Sequence, residues 1–168
     1  RKSLDKSPNA IETNIALADV LYKAKKYDQS LESCNKALQL DSKSTDALWI
    51  RSKVYREKID YTKAIEDLSR IIYFSPDNEQ AFFNRGLYNQ EYTKYQDAIN
   101  DFSKVISINP KNAQAFYNRA KSYEQITQYS NAIADYKTYA SLSDDNSAEA
   151  KKRMEEADKR LYELNRES

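Results

Sequence analysis

EQAFFNRGLYNQEYTKYQDAINDFSKVISINPKN, residues 79–112, decides the fold, because the same pattern recurs in one register along the chain. Its central Tyr95 has counterparts at Tyr27, Tyr61 and Tyr129, each 34 residues from the next. Three residues after each tyrosine come Ser30, Ala64, Ala98 and Ala132, and then Leu31, Ile65, Ile99 and Ile133. A fixed period of this length marks stacked units, none of which can bury its apolar face alone. Within the quoted unit, Ala98, Phe102, Val105 and Ile106 fall at i, i+4, i+7 and i+8, one face of a helix. Ala64, Leu68, Ile71 and Ile72 do the same one unit earlier. The first half has apolar or small residues at helical spacing too, Phe82, Gly86 and Asn89 matching Leu48, Ser52, Tyr55 and Phe116, Ala120, Tyr123. Each unit is predicted to be a helical hairpin, and the fold all-α.

Punctuation agrees. Pro8, Pro76 and Pro110 share one phase, where a proline ends one helix and lets the chain turn into the next. Strand signals are missing, and one glycine in the whole chain leaves no glycine-based turns. Ala18, Ser52, Gly86 and Ala120 share a phase in the first helix and face Ser30, Ala64, Ala98 and Ala132 in the second, which permits close approach of the two backbones. Asn89 breaks the apolar rule of its phase, so it is expected either to be locally solvated or to mark a looser helix contact. Arg51, Arg85 and Arg119 appear where the first unit has Leu17, and Asp67, Asp101 and Asp135 where it has Ser33. Charges that come and go together suggest ion pairs suited to the guanidinium fork. Pairing within a unit and pairing with the next unit, where Arg153 would serve Asp135, are equally countable.

Composition narrows the function. Lys and Arg number 27 against 26 Asp and Glu, without the basic surplus that phosphate neutralisation needs, so nucleic acid is not an expected partner. His is absent, which removes the commonest general base and metal ligand. There is no glycine-rich phosphate loop and no Cys or His cluster, and the carboxylates are spread among Lys and Arg as on a solvated face. No enzyme activity, cofactor or metal is expected. The single Cys34 falls at a core phase and says nothing of compartment. No apolar run approaches the roughly 18–20 residues that span a bilayer, so membrane insertion is not expected.

On these residues the chain resembles the tetratricopeptide repeat family, whose small, aromatic and proline phases are met by Gly86, Tyr95, Ala98, Phe102 and Pro110 and comparably elsewhere. The resemblance implies a right-handed α-α superhelix, a solenoid of four hairpins with a C-terminal capping helix. Its repeats are expected at residues 11–44, 45–78, 79–112 and 113–146, with the cap at 147–168 carrying Ala150, Met154, Ala157, Leu161 and Leu164 on one face. Residues 1–10, with Leu4 and Pro8 in phase, are expected to be the end of a truncated preceding repeat, making the chain a stretch of a longer array.

By the same resemblance the first helices line a concave groove. The expected peptide-binding residues are Trp49, Lys53, Arg56, Phe83, Asn84, Leu87, Gln114, Tyr117, Asn118 and Lys121. Aromatic anchors supply desolvated contact area, and amides can both donate to and accept from a peptide backbone. Phe83 and Tyr117 could equally serve packing between helices, whereas mid-helix Asn84 and Asn118 have poor helix propensity that a ligand would offset. The repeat tyrosines are assigned to the hairpin core.

The expected function is a non-catalytic scaffold that binds a partner peptide or helix in that groove. One alternative is a structural module that associates with itself through the N-terminal end, where Leu17, Leu21, Leu31 and Leu38 are expected to expose apolar surface. Another is a targeting domain of a larger enzyme. The last is the family branch that clamps the C-terminal carboxylate of large heat-shock chaperones; its five phases hold Trp49, Lys53, Asn84, Gln114 and Asn118, of which Asn84 alone matches outright.

Overall fold

A computed structural model describes residues 8–143 and 148–167. They form α1 (Pro8–Lys23), α2 (Tyr27–Leu40), α3 (Thr45–Glu57), α4 (Tyr61–Phe74), α5 (Glu79–Glu91), α6 (Tyr95–Ile108), α7 (Ala113–Gln125), α8 (Tyr129–Leu142) and α9 (Ala148–Glu167). No strand occurs among the described residues. The expected start of a truncated repeat, including Leu4, lies outside them. The chain divides into two compact units, Arg1–Ala81 and Phe82–Ser168.

In the first unit α1 packs on α2 and α3 on α4, while α3 also meets α1 and α2. Its core gathers Ala18, Cys34, Ile50 and Val54, with Ile15, Tyr22, Tyr27 and Leu31 against them. Ser30 spans the close approach of α1 and α2 by donating its hydroxyl to the carbonyl of Ala18 at 2.7 Å. Burial pushes the Cys34 thiol up to about 11, as expected of a small apolar filler rather than a nucleophile. In the second unit α7 packs on α6 and α8, and α9 covers α8. Ala120, Ala132 and Tyr136 form its buried cluster, with Tyr117, Tyr123 and Met154 around them. Met154 thus takes the core-facing place expected of it in α9; Ala150, Ala157, Leu161 and Leu164 have side chains outside the described residues.

The turn inside each hairpin is built without glycine. Lys25, Ile59, Thr93 and Thr127, again one phase, all have φ between 58° and 62°. The next residue's N–H reaches back across the turn, Lys26 to Leu21, Asp60 to Tyr55, Lys94 to Asn89 and Gln128 to Tyr123, at 2.8–2.9 Å. A second bond joins each positive-φ residue to the carbonyl three residues earlier. This is the paired closure that satisfies a helix's last carbonyls when a left-handed residue follows it. An L side chain there costs about 1–2 kcal/mol, and a β-branched one has least tolerance for it. Ile59→Gly should therefore gain about 0.5–1 kcal/mol after the extra chain entropy of glycine is subtracted. The isoleucine is 72% exposed, so little burial is lost. A thermal melt should move up by roughly 2–4 °C per kcal/mol gained; a lower midpoint would show that the side chain contributes more than the backbone strain removes.

Between hairpins the turns end on side-chain caps. The Oδ1 of Asn78 accepts from Ala81 N–H at 2.9 Å and that of Asn112 from Ala115 at 3.0 Å, with Ser44 Oγ reaching Ala47 at 3.4 Å. Pro76 and Pro110 lie in these turns as expected, whereas Pro8 is the first described residue of α1.

Ion pairing is settled in favour of the hairpin. Arg51 donates from Nε and Nη2 to both oxygens of Asp67 at 2.8 and 2.6 Å, and Arg119 does the same to Asp135 at 2.7 and 2.8 Å. Arg85 grips Asp101, its closest contact 2.6 Å. The remaining nitrogen of the fork ties the hairpin to its predecessor, Arg51 Nη1 to Asn35 at 2.7 Å and Arg119 Nη1 to Ser103 at 3.0 Å. Arg153 does not serve Asp135; its guanidinium lies 3.4 Å from Glu124. Asn89 is neither solvated nor at a loose contact. Its amide is buried and donates to Asp101 at 3.0 Å, because a buried carboxylate has lone pairs beyond those one guanidinium can fill.

Candidate functional site: two pockets on the first-helix faces

Each unit has a sizeable pocket lined chiefly by the first helices of its hairpins. In the first unit α1 contributes Glu12, Ile15, Ala16 and Asp19, and α3 contributes Asp46, Trp49, Ile50 and Lys53, around about 420 Å³. The spacing explains the lining: 12, 15, 16 and 19 are successive positions on one helix face, and 46, 49, 50 and 53 repeat them one period later. Trp49 and Ile15 are half-buried and give the pocket an apolar floor. Lys53 stands at its edge with its ammonium 4.8 Å above the Tyr22 ring, a cation–π contact. Asp19 is bridged by Lys23 one turn along α1.

The second pocket, about 400 Å³, takes Leu87, Gln90 and Glu91 from α5, Tyr95 from α6, Asn118, Lys121, Glu124 and Gln125 from α7, and Arg153 from α9. Its wall is largely polar and already bonded. Gln90 donates to the carbonyl of Asn118 and to Ser122 Oγ, both at 2.7 Å. The Asn118 amide is turned to the carbonyl of Gln114 at 2.8 Å, one turn back on its own helix. Glu124 accepts from the Tyr136 hydroxyl at 3.1 Å. Burial, and then the charge of Glu124, push the Tyr136 phenol well above its ordinary range, so it keeps its proton for that bond.

Of the residues expected in a groove, Trp49 and Lys53 meet in the first pocket, and Leu87, Asn118 and Lys121 in the second. Arg56 stands outside, its guanidinium 3.0 Å from Glu57. Phe83 and Tyr117 take the packing role: Phe83 meets Phe102 edge-on at 5.7 Å, and Tyr117 lies 5.8 Å from Tyr136 and 5.1 Å from Tyr139. Asn84 is half-buried and Gln114 exposed, and neither lines either of these two pockets. Glu12, Ala16, Asp19 and Asp46 are additions from the structure, as are Tyr95, which leaves its expected place wholly within the core, and Arg153. The first four could have been read from the register, since Ala16 adjoins Ile15 and the three carboxylates sit one turn before or after the Ile15 and Trp49 phase. Arg153 keeps the arginine phase one period after Arg119, but that phase predicts an Asp135 partner and not a place beside Glu124. At the N-terminal end Leu17 and Val20 are exposed, but Leu38 is buried on α2 and drops out of the apolar surface expected there.

Residues 15–79 and 113–146 match the tetratricopeptide repeat, and residues 94–126 match its TPR repeat description. The chain belongs to the tetratricopeptide repeat family. As a member it is a protein-interaction scaffold. Among curated relatives, the DnaJ homolog subfamily C member 3 homolog of Dictyostelium discoideum is 46% identical over 43 residues, which is 26% of this chain but 9% of that protein. The solved structures it resembles include a MamA protein at 21% identity, with a TM-score of 0.77 over 93% of this chain and 90% of that one. A MamA from Desulfovibrio magneticus RS-1 gives the same score at 14% identity, over 95% of this chain and 97% of that one. At such identities the likeness establishes the all-α repeat fold. No helix among the described residues is long and apolar enough to cross a membrane.

Proposed function

We propose that this scaffold is non-catalytic and holds a segment of a partner protein, an extended peptide or a helix, against the faces of its first helices. The observation that carries the reading is the placement of both pockets on those helices, one with an apolar floor around Trp49 and one with amides and charges around Lys121. Concave surfaces with a few convergent polar groups suit recognition, and a half-buried tryptophan is a common energetic anchor. The carboxylate-clamp alternative has little to draw on. Lys53, its one cation, is engaged over Tyr22, and Asn118 is spent on its own helix.

Trp49→Ala and Lys121→Ala, each checked for unchanged helicity, should weaken capture of a partner peptide on an array by at least about tenfold, or 1.4 kcal/mol. Full binding by both variants would move recognition off these faces. A second reading, association between copies through the first hairpin, draws on Val20. It is 62% exposed, whereas Val54, one period later, is 0% exposed. Light scattering on Leu17→Lys/Val20→Lys should then show a smaller particle than the parent chain, and a parent that is monomeric at high concentration removes the reading.

A further inference from the structure

We propose that the Trp49 pocket takes an apolar side chain of a partner segment whose neighbouring residues are basic, an inference that rests on the groove-binding reading and specifies its chemistry. The floor fixes the first half: Ile15, Ala16, Trp49 and Ile50 leave hydrocarbon and an indole facing a space large enough for a Leu or Phe side chain. The rim fixes the second. Three carboxylates, Glu12, Asp19 and Asp46, stand around that floor against one ammonium, Lys53. The ammonium is drawn over the Tyr22 ring, and Lys23 answers Asp19 alone. Glu12 and Asp46 are exposed and have no ion-pair partner among the described residues. An acidic rim on an apolar floor selects a partner of opposite charge and repels an acidic one, which is how charge contributes specificity at an interface. The next two occurrences of the Glu12 and Asp46 phase are Gln80 and Gln114, so the acidic rim is a property of the first two hairpins and not of the repeat as such.

Trp49 is the only tryptophan in the chain, so its emission reports this pocket directly. The probes are two end-blocked nine-residue peptides with the same Leu-Phe centre, one flanked by arginines and the other by glutamates, titrated into the full chain at low salt. The arginine peptide should shift the emission and bind at least about tenfold tighter than the glutamate peptide, and the gap should close toward 1 M salt, where charges are screened within about 3 Å. The Glu12→Gln/Asp19→Asn/Asp46→Asn variant, with helicity unchanged, should lose the preference. Equal binding of both peptides with a Trp49 response, or a preference that survives in the variant, overturns the basic-partner inference while leaving groove binding intact. No Trp49 response to either peptide overturns it too, and groove binding then stands or falls on whether Lys121→Ala loses array capture.

Discussion

Arg51→Met should cost the folded chain about 3–5 kcal/mol, because it strands a buried carboxylate. The side chain of Asp67 is 2% exposed and takes two charge-assisted bonds from Arg51. With the guanidinium gone, that carboxylate keeps its buried place without the charge that offsets its desolvation. The link from Arg51 to Asn35 on the preceding helix is lost as well. Arg51→Met/Asp67→Leu should behave differently, recovering most of the loss, since a buried ion pair and a well-packed apolar pair of similar volume are often close in stability. The chain contains its own precedent: the first hairpin holds Leu17 and Ser33 at these two places and forms α1 and α2 without the pair. Urea midpoints of the single and double variants, read at constant slope, decide the matter. A single-variant loss under about 1 kcal/mol would mean that the pair behaves like an exposed surface bridge.

What the sequence made legible follows from what a strict period can encode. Helix boundaries at Tyr27, Tyr61, Tyr95 and Tyr129 were readable because each tyrosine opens a second helix in the same register. The small positions were readable because Ala18 and Ala120 must let a second helix come close, and both are 0% exposed. The hairpin turns were not readable. Glycine is the usual sign of a left-handed residue, and here Lys25, Ile59, Thr93 and Thr127 adopt it with no compositional mark other than their phase. Pairing of Arg with Asp was countable, but its direction was not, since spacings of 16 and 18 residues are both compatible with a repeat of 34 until the helices are placed.

The candidate site was half legible for a related reason. Phase assigns a residue to a face but not to a partner, so for Phe83, of one phase with Trp49, packing and ligand contact stayed equally open. Phe83 is held edge-on by Phe102, whereas Trp49 lines a pocket. The difference lies in the second helix: opposite Phe83 it offers the ring of Phe102, while one period earlier it carries Leu68. Asn89 was misread because a helical-wheel rule sees polarity as an exception, and the reason for that polarity, Asp101, comes from the other helix.

Gly86→Leu should lose about 1–3 kcal/mol by overpacking, and the cause can be assigned to one ring. A Cβ at residue 86 would lie 2.8 Å from Cε1 and 2.9 Å from Cζ of Phe102, closer than carbon atoms approach in ordinary contact. Phe102 is 0% exposed and its ring is braced by Phe83, so it has little room to swing away. Ring size alone does not demand glycine, since Ala120 shares a buried cluster with Tyr136 one period later. Even Gly86→Ala sets a helix-propensity gain of about 0.5–1 kcal/mol against that overlap. In a Phe102→Leu background the overlap is removed and the same Ala should become stabilising, although the truncated core starts from a lower stability. The double-mutant cycle over Gly86→Ala and Phe102→Leu should therefore show a coupling of about 0.5–3 kcal/mol, in the sense that the two changes together cost less than their sum. Additivity within about 0.3 kcal/mol would mean that the glycine is kept for a reason other than the ring it faces.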